Sequence, residues 1–528
     1  MTEGLRASWP AMLHSVSMVG SFYRRTILEV TVFVCGALVM IFEIIGSRIL
    51  APFIGTSTYV WTSLIGVILA SLSLGYWLGG RLADRRPDAK VLASVILVAG
   101  ALISLTVLVK DTLLSMIAGM AVGLEIQSLI AALLLFAPAS VCLGIVTPFA
   151  VRLKMRSVET TGRTVGSLYA LSTVGSIVGT FAAGFFLIPF VGSIRTLYLI
   201  SGSLIILAFL LVPFAVSKMN IAAVALFILA IAASETNSYI LRQKSDVYDE
   251  DTEYNRVKVF KTVDPGTGRA VRALAIDPYL TQSEAFLDSD ELVSDYLRYY
   301  HLARYFKPDF QESLMIGGAG YSFPKEYLRV YENARMDVVE IDPQMTDIAR
   351  EFFRLTDDPR LNIIHEDGRM FINRAPSDHY DAVFLDAFSA LGSVPAHLTT
   401  VEAVTNMYRM LKSDGVVIFN LGSAITGPGS RFLNAELQTY RRVFPQVYLF
   451  KVNSGYPDTQ LQNLIIVAAR SPDRPRFVSE DALIATLLRH LYTAPQSAAE
   501  HCLTDDLAPV EYYSSIALNL FLAQRRMR

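Results

Sequence analysis

Between residues 27 and 235 the chain carries seven mostly apolar stretches, at 27 to 48, 59 to 79, 91 to 109, 127 to 149, 166 to 188, 195 to 216 and 219 to 235. A helix of about 20 such residues spans the hydrocarbon core of a bilayer. Lipid admits only helices or closed barrels, because every backbone N–H and C=O must find its partner inside the structure. Residues 27–242 therefore read as a multi-pass α-helical membrane domain behind an N-terminal segment, 1–26. No comparable run recurs beyond about residue 243. The overall composition, 52% hydrophobic and 18% charged over 528 residues, is too apolar for a soluble protein of this length and agrees with that division.

Lys and Arg cluster in two connections, "GRLADRRPDAK" with Arg81, Arg85, Arg86 and Lys90, and "VRLKMRSVETTGR" with Arg152, Lys154, Arg156 and Arg163. Arg24 and Arg25 precede the first run. The positive-inside tendency puts all three on the cytoplasmic side of an inner, cytoplasmic membrane. Seven full crossings then leave the soluble half outside, whereas the small-molecule chemistry developed below expects it in the cytoplasm. The two agree if the short last run is interfacial or if the stretch 112 to 125 belongs to a re-entrant element. No small-residue cleavage site follows the first run, which reads as a retained anchor.

Within the membrane part, "GSIVGTFAAG" spaces Gly175, Gly179 and Ala183 four residues apart, a stripe that lets helices approach closely. Packing within one chain is the favoured use, and a homodimer is the other arrangement such a stripe serves. Glu43 lies deep in the first run, where a carboxylate needs a partner such as Arg48 or a task of its own. A formal charge of −2 without a long basic block excludes a nucleic-acid footprint. Cys35, Cys142 and Cys502 are far apart and the seven histidines are scattered, so neither a disulfide framework nor a metal site is expected.

From about residue 314 the pattern alternates. "SLMIGG", "MDVVEI", "LNIIHED", "YDAVFLD" and "GVVIFNL" read as buried parallel strands, and the segments between them carry helical spacing. This predicts a doubly wound sheet over 313–528, completed to seven strands by "QVYLFKV" and "NLIIVAA". A β-rich part, 243–312, precedes it, with "LRQKSDVYDEDTEYN" as the linker and "DPGTG" as a hairpin turn. Ligands of such sheets sit beyond the carboxyl ends of the strands. Gly317, Gly318 and Gly320 follow the first strand and let backbone approach a ligand. Glu340 closes the second strand, where it can accept from both hydroxyls of a ribose. Asp367 with Gly368 closes the third, and Asp386 the fourth. Each acid alone could be a loop residue or a helix N-cap; three in register behind a glycine turn point to one site.

The string "LMIGGAGYSFPKEYL…MDVVEIDPQMTDIAREFF…DPRLNIIHEDGRMFI…YDAVFLDAFS…LKSDGVVIFNL" resembles the spermidine synthases, or polyamine aminopropyltransferases, in a membrane-fused form, over roughly 314 to 421 and more loosely back to Tyr254. The resemblance implies a Rossmann-like, class I methyltransferase-type fold. It also implies a substrate, decarboxylated S-adenosylmethionine, whose aminopropyl group passes to an amine and leaves methylthioadenosine, with no metal. Glu340 would hold the ribose, Asp367 the adenine amino group, and Asp386 would act as base, with Asn255 and Gln282 near the nucleoside.

The chain departs from the family's pattern at Gly320 and Ser389, where acids are usual, and at Tyr299 and Tyr300, where a His-Glu pair is expected. Fewer acids suit a substrate that keeps its own carboxylate, so cleavage of intact S-adenosylmethionine to a lactone or by elimination is the alternative. Methyl transfer and a nucleoside-binding transporter or sensor are further ones. The loop "SALGSVPAHL" is expected as a strand-to-helix connection or a lid, and Tyr296, Tyr299 and Tyr300 as core or as pocket wall.

Overall fold

A computed structural model of the chain describes residues 8–528 except 56, 121, 156, 158, 213–216, 278–279, 390–391, 495–498, 500 and 528; side chains are described from Thr26 onward, save those of 244, 245 and 524–527. Two compact units result, Met1–Ile240 and Leu241–Arg528.

The first unit is helical: α1 (Ser8–Ile54), α2 (Thr58–Arg85), α3 (Ala89–Ala118), α4 (Leu124–Leu135), α5 (Ala137–Lys154), α6 (Thr161–Ala182), α7 (Ile188–Val191), α8 (Ser193–Leu211) and α9 (Lys218–Ser245). A π-helical turn, Ala183–Leu187, joins α6 to α7. Among the described residues, seven helical stretches are long and apolar enough to cross a membrane. The fourth run divides at Phe136 into α4 and α5, next to Pro138, whose missing N–H and ring disfavour an unbroken helix. The stretch 112 to 125 forms no element of its own: its first residues complete α3 and its last open α4.

Glycine contacts fix how these helices pair. A Cβ at Gly175 or Gly179 would lie 2.1 or 2.2 Å from the carbonyl oxygens of Phe33 and Ala37, so the small-residue stripe of α6 packs on α1 of the same chain. The rising register, 33 with 175 and 37 with 179, makes the two parallel. Helices α2 and α5 are parallel by the same criterion, with Gly75 against Val141 and Gly79 against Ile145. Gly100 meets Ile205 and Ser104 hydrogen-bonds Ser201 at 2.7 Å, so α3 and α8 run antiparallel. Lys154 pairs with Glu29 at 2.5 Å and Arg152 with Asp84 at 3.2 Å, which gathers the start of α1 and the ends of α2 and α5 at one end, beside Arg81 and Arg85. Helix α9 departs from that basic end.

In the second unit an antiparallel sheet of β1 (Tyr248–Asp251), β2 (Arg256–Val263), β3 (Ala270–Ala275) and β4 (Ser283–Phe286) runs in that order. The expected 241–255 linker is instead largely ordered structure, because α9 continues to Ser245 and Tyr248–Asp251 pairs with β2. The "DPGTG" turn closes through Asp264, whose Oδ2 accepts from the Thr267 amide at 2.8 Å, with Gly268 at φ 70°.

The large sheet contains β5 (Glu312–Ile316), β6 (Arg335–Glu340), β7 (Leu361–His365), β8 (Tyr380–Leu385), β9 (Leu411–Ser423), β10 (Gln446–Lys451) and β11 (Gln462–Ala469) in the order β10-β11-β9-β8-β5-β6-β7. Strands β5 to β9 are mutually parallel, and β11 lies antiparallel to β9 and β10. Around the sheet lie α10 (Asp295–Arg298), α11 (Ala303–Phe306), α12 (Ser322–Val330), α13 (Pro343–Phe352), α14 (Gly368–Arg374), α15 (Val401–Met410) and α16 (Arg431–Val443). Leu314, Ile316, Val383 and Leu385 face one core with α14, α15 and α16; Met315, Phe384 and Ile418 face the other with Tyr300, Phe323 and Tyr327. Both faces are thus buried, which is why these strands read as continuous apolar runs. This is a doubly wound, class I methyltransferase-type sheet. The chain turns outward through β6 and β7 and returns to β8 on the other side of β5, so the crevice favoured for ligands opens beyond the ends of β5 and β8.

Single cysteines at Arg86 and Tyr239, in a background lacking Cys35, Cys142 and Cys502, should react with a membrane-impermeant maleimide from opposite sides. Labelling of both from the same side would show that α9 does not cross, and would return the chain beyond it to the cytoplasm.

Candidate functional site

Strand β8 ends at Leu385, and the next residue is anchored at once: the Asp386 amide donates to the Ile316 carbonyl at 2.9 Å. Gly317, following β5, donates to Val339 at 2.9 Å and adopts φ 98°. A Cβ there would sit 2.4 Å from the Asp386 carbonyl oxygen, so glycine is what allows the two strand ends to meet. The Asp386 carboxylate then accepts from Asn420 Nδ2 at 3.0 Å on Oδ1 and from the Tyr296 hydroxyl at 3.2 Å on Oδ2. The Tyr300 hydroxyl, fully buried, faces the same carboxylate. Among the described residues no ion pair reaches Asp386. Burial pushes its carboxyl up to about 6, against the opposing pull of those donors.

Glu340 closes β6, buried beneath the glycine turn. Its Oε2 accepts from the amides of Gly318 at 2.8 Å and Ala319 at 3.1 Å, and its Oε1 from the Asp342 amide at 3.0 Å. A carboxylate offers about four lone-pair sites, so only about one, on Oε1, is left for a ribose hydroxyl rather than the two expected. A Cβ at Gly318 would meet the Tyr321 ring at 2.6 Å, so this glycine also serves the turn's own packing. Asp342 caps α13 (Pro343–Phe352) through the Gln344 amide and accepts from Thr252 Oγ1 at 2.5 Å. Thr252 in turn receives the Asn255 amide at 2.9 Å, which holds Asn255 beside the end of β6.

Asp367 is the N-cap of α14, accepting from the Met370 amide at 3.0 Å, and its Oδ2 lies 3.3 Å from His397 Nε2. Gly368 fits against β5, with a Cβ position 2.7 Å from Ile316 Cγ2. The exposed Tyr254 links the acids: burial first, then the negative charges of Glu253, Asp342, Asp367 and Glu340, hold its phenol above the ordinary value. Gln282 precedes β4, and its neighbour Ser283 accepts from the Gly320 amide at 3.1 Å, so it too borders the glycine turn.

The ends of β5, β6, β7 and β8 therefore lie side by side, carrying Gly317, Glu340, Asp367 and Asp386 in neighbouring strands. Asn420, Ser283 and His397 were not singled out in the sequence. Asn420 has a legible signal, as the one polar residue inside the apolar run "GVVIFNL"; Ser283 and His397 have none. The tyrosine triplet divides. Tyr296 and Tyr300 turn to Asp386, whereas Tyr299 donates to the Val452 carbonyl at 3.2 Å and meets His490 Nδ1. Ser389 folds onto its own loop, with amide and hydroxyl both donating to the Ser393 carbonyl, at 2.7 and 2.9 Å; Ala390 and Leu391 of that expected lid lie outside the described residues.

Residues 298–457 match the model of the spermine/spermidine synthase domain. The chain is 28% identical over 227 residues to a polyamine aminopropyltransferase of Vibrio vulnificus, covering 42% of this chain and 73% of the relative. It is 29% identical over 224 residues to one of Clostridium beijerinckii, covering 42% and 75%. A probable spermidine synthase from Corynebacterium glutamicum superposes with a TM-score of 0.38 at 20% identity, covering 49% of this chain and 90% of that one. The chain thus carries a spermidine synthase-like domain behind its apolar helices.

Gly317→Ala should destabilise the second unit by ~3 kcal/mol, from positive-φ strain plus the clash with Asp386. Denaturant unfolding followed by amide exchange in β5 and β8 reads this; an unchanged profile would show that the strand ends can part freely.

Proposed function

We propose that the second unit is a sulfonium-consuming transferase, resembling the aminopropyltransferases it matches, that binds an adenosyl sulfonium across the ends of β5 to β8. Glu340 accepts a ribose hydroxyl, Asp367 receives the adenine amino group at the side of its N-cap, and Gly317, Gly318, Gly368, Asn255 and Gln282 border the nucleoside. The observation that carries the reading is Asp386: a desolvated carboxylate with no ion pair among the described residues, at the switch point, held in one orientation by Asn420 and Tyr296.

In the reaction an ammonium gives its proton to Asp386, and the freed nitrogen lone pair attacks the methylene next to the sulfonium. The C–S bond breaks, its electron pair returns to sulfur, and neutral methylthioadenosine leaves. A base whose pKa lies near 6 is largely ionised at neutral pH yet close enough in basicity to take a proton reversibly. The anion also favours the positive charge carried by both reactants. The donor is proposed to be decarboxylated S-adenosylmethionine and the acceptor an amine. A second reading, intramolecular cleavage of intact S-adenosylmethionine, draws on the lack of acids at Gly320 and Ser389.

Full-length protein in lipid nanodiscs, incubated with either sulfonium with and without putrescine, should release methylthioadenosine only from the decarboxylated donor together with the diamine. Release from S-adenosylmethionine alone would replace this reading by the second, and adenosylhomocysteine would replace both by methyl transfer. Asp386→Asn should lower turnover at least ~100-fold while keeping methylthioadenosine binding.

The pH profile supplies a separate check. Asp386 must be ionised to act, so kcat/KM should fall as pH drops through about 6. Hydrogen bonds donated to a carboxylate favour its charged form, and Tyr296→Phe removes one. The acid limb should therefore move up by roughly half to one pH unit; a limb that stays in place would detach it from Asp386.

A further inference from the structure

Strand β4 brings a second carboxylate to this region. Ser283 Oγ accepts from the Gly320 amide, and a Cβ at 320 would lie 2.7 Å from that same oxygen and 3.1 Å from Phe353 Cδ1. The turn is packed so that no acidic side chain fits at position 320. The next residue of β4, Glu284, is half-buried. Among the described residues its carboxylate accepts from two hydroxyls at long range, Thr281 Oγ1 at 3.3 Å and Ser294 Oγ at 3.4 Å. Among the described residues it has no ion pair. Ser294, one of those donors, stands two residues before Tyr296, whose hydroxyl donates to Asp386, and the charge of Glu284 is felt at that tyrosine. Glu284 also borders a cleft with Lys325 and Arg354, which are engaged at the carbonyls of Phe353 and of Phe286 and Ser289.

Two carboxylates, with no ion pair among the described residues, thus stand on either side of the Ser294–Tyr296 segment's hydroxyls. Desolvating a carboxylate is unfavourable unless a positive charge or strong donors compensate, and two long hydroxyl contacts compensate weakly. Burial accordingly holds the Glu284 carboxyl above its ordinary range. A primary ammonium, with three N–H donors and a full charge, is the complementary group.

Resting on the function proposed above, we infer that Glu284 receives the terminal ammonium of the donor's aminopropyl arm, and that it selects the decarboxylated sulfonium against the intact one. Asp386 is then left to the attacking amine. The selection follows from charge. In S-adenosylmethionine a carboxylate sits on the carbon that bears the amino group, so any pose that brings the ammonium to Glu284 brings two anions together. Glu284 acts as a specificity-determining residue and takes no proton in the transfer.

The test compares three ligands on the full-length protein and on Glu284→Gln and Glu284→Asp, by calorimetric titration in nanodiscs. Methylthioadenosine lacks the ammonium and should bind all three proteins alike. Decarboxylated S-adenosylmethionine should bind Glu284→Gln about tenfold more weakly than wild type, with partial recovery in Glu284→Asp, and the preference over S-adenosylmethionine should shrink by a similar factor. Equal loss for all three ligands would mark Glu284 as merely structural and overturn the inference. So would an unchanged donor affinity with a raised KM for putrescine, which would move Glu284 to the acceptor. A wild-type protein that binds no methylthioadenosine would remove the nucleoside site itself, and the inference with it; binding of all three ligands without dependence on Glu284 would remove the inference alone.

Discussion

An ionised carboxylate without a cation, taken partly out of water, is the constraint around which the second unit is arranged. Asp386 occupies the one place in a doubly wound sheet where the chain reverses its winding and leaves the strand ends uncovered. Among the described residues, the groups that hydrogen-bond or face it are neutral: an amide from β9, a phenol from the segment before β5, and a second, buried phenol. Such surroundings orient a negative charge without neutralising it, so a cationic ligand has most to gain by binding there. Gly317 is the geometric condition for this, since any side chain would push β5 away from the Asp386 carbonyl.

Much of this was legible from residue order. The five parallel strands announced themselves as Val- and Ile-rich runs because both faces of the sheet are covered, and the acids that close them could be ranked by strand. What sequence could not give was the division of duties. Glu340 is expected from the sequence to accept from both hydroxyls of a ribose, yet three backbone amides occupy most of its accepting capacity, a fact set by the turn's conformation. Asp367 is both cap and candidate contact. Tyr296, Tyr299 and Tyr300 look alike in a string, but one residue of helical rotation sends Tyr299 toward His490 and its neighbours toward Asp386. Ser283 was invisible because its role depends on the space above Gly320, which exists only after β4 docks.

The membrane unit shows a similar limit. Apolar runs and small-residue spacing gave the helices and the close α1–α6 pairing, while the break at Phe136 and the reach of α9 to Ser245 depend on local chain chemistry that hydropathy averages away. Charge alone made three basic segments face one side; the ion pairs of Lys154 with Glu29 and Arg152 with Asp84 bring helices distant in sequence to that same end.

The hold of Glu340 on Gly318, Ala319 and Asp342 has a kinetic corollary. Because that clamp is made by the chain's own amides, the turn's order is part of folding, and capture of a nucleoside needs little further ordering of that backbone. Association at this end of the crevice should then approach the rates of rigid docking.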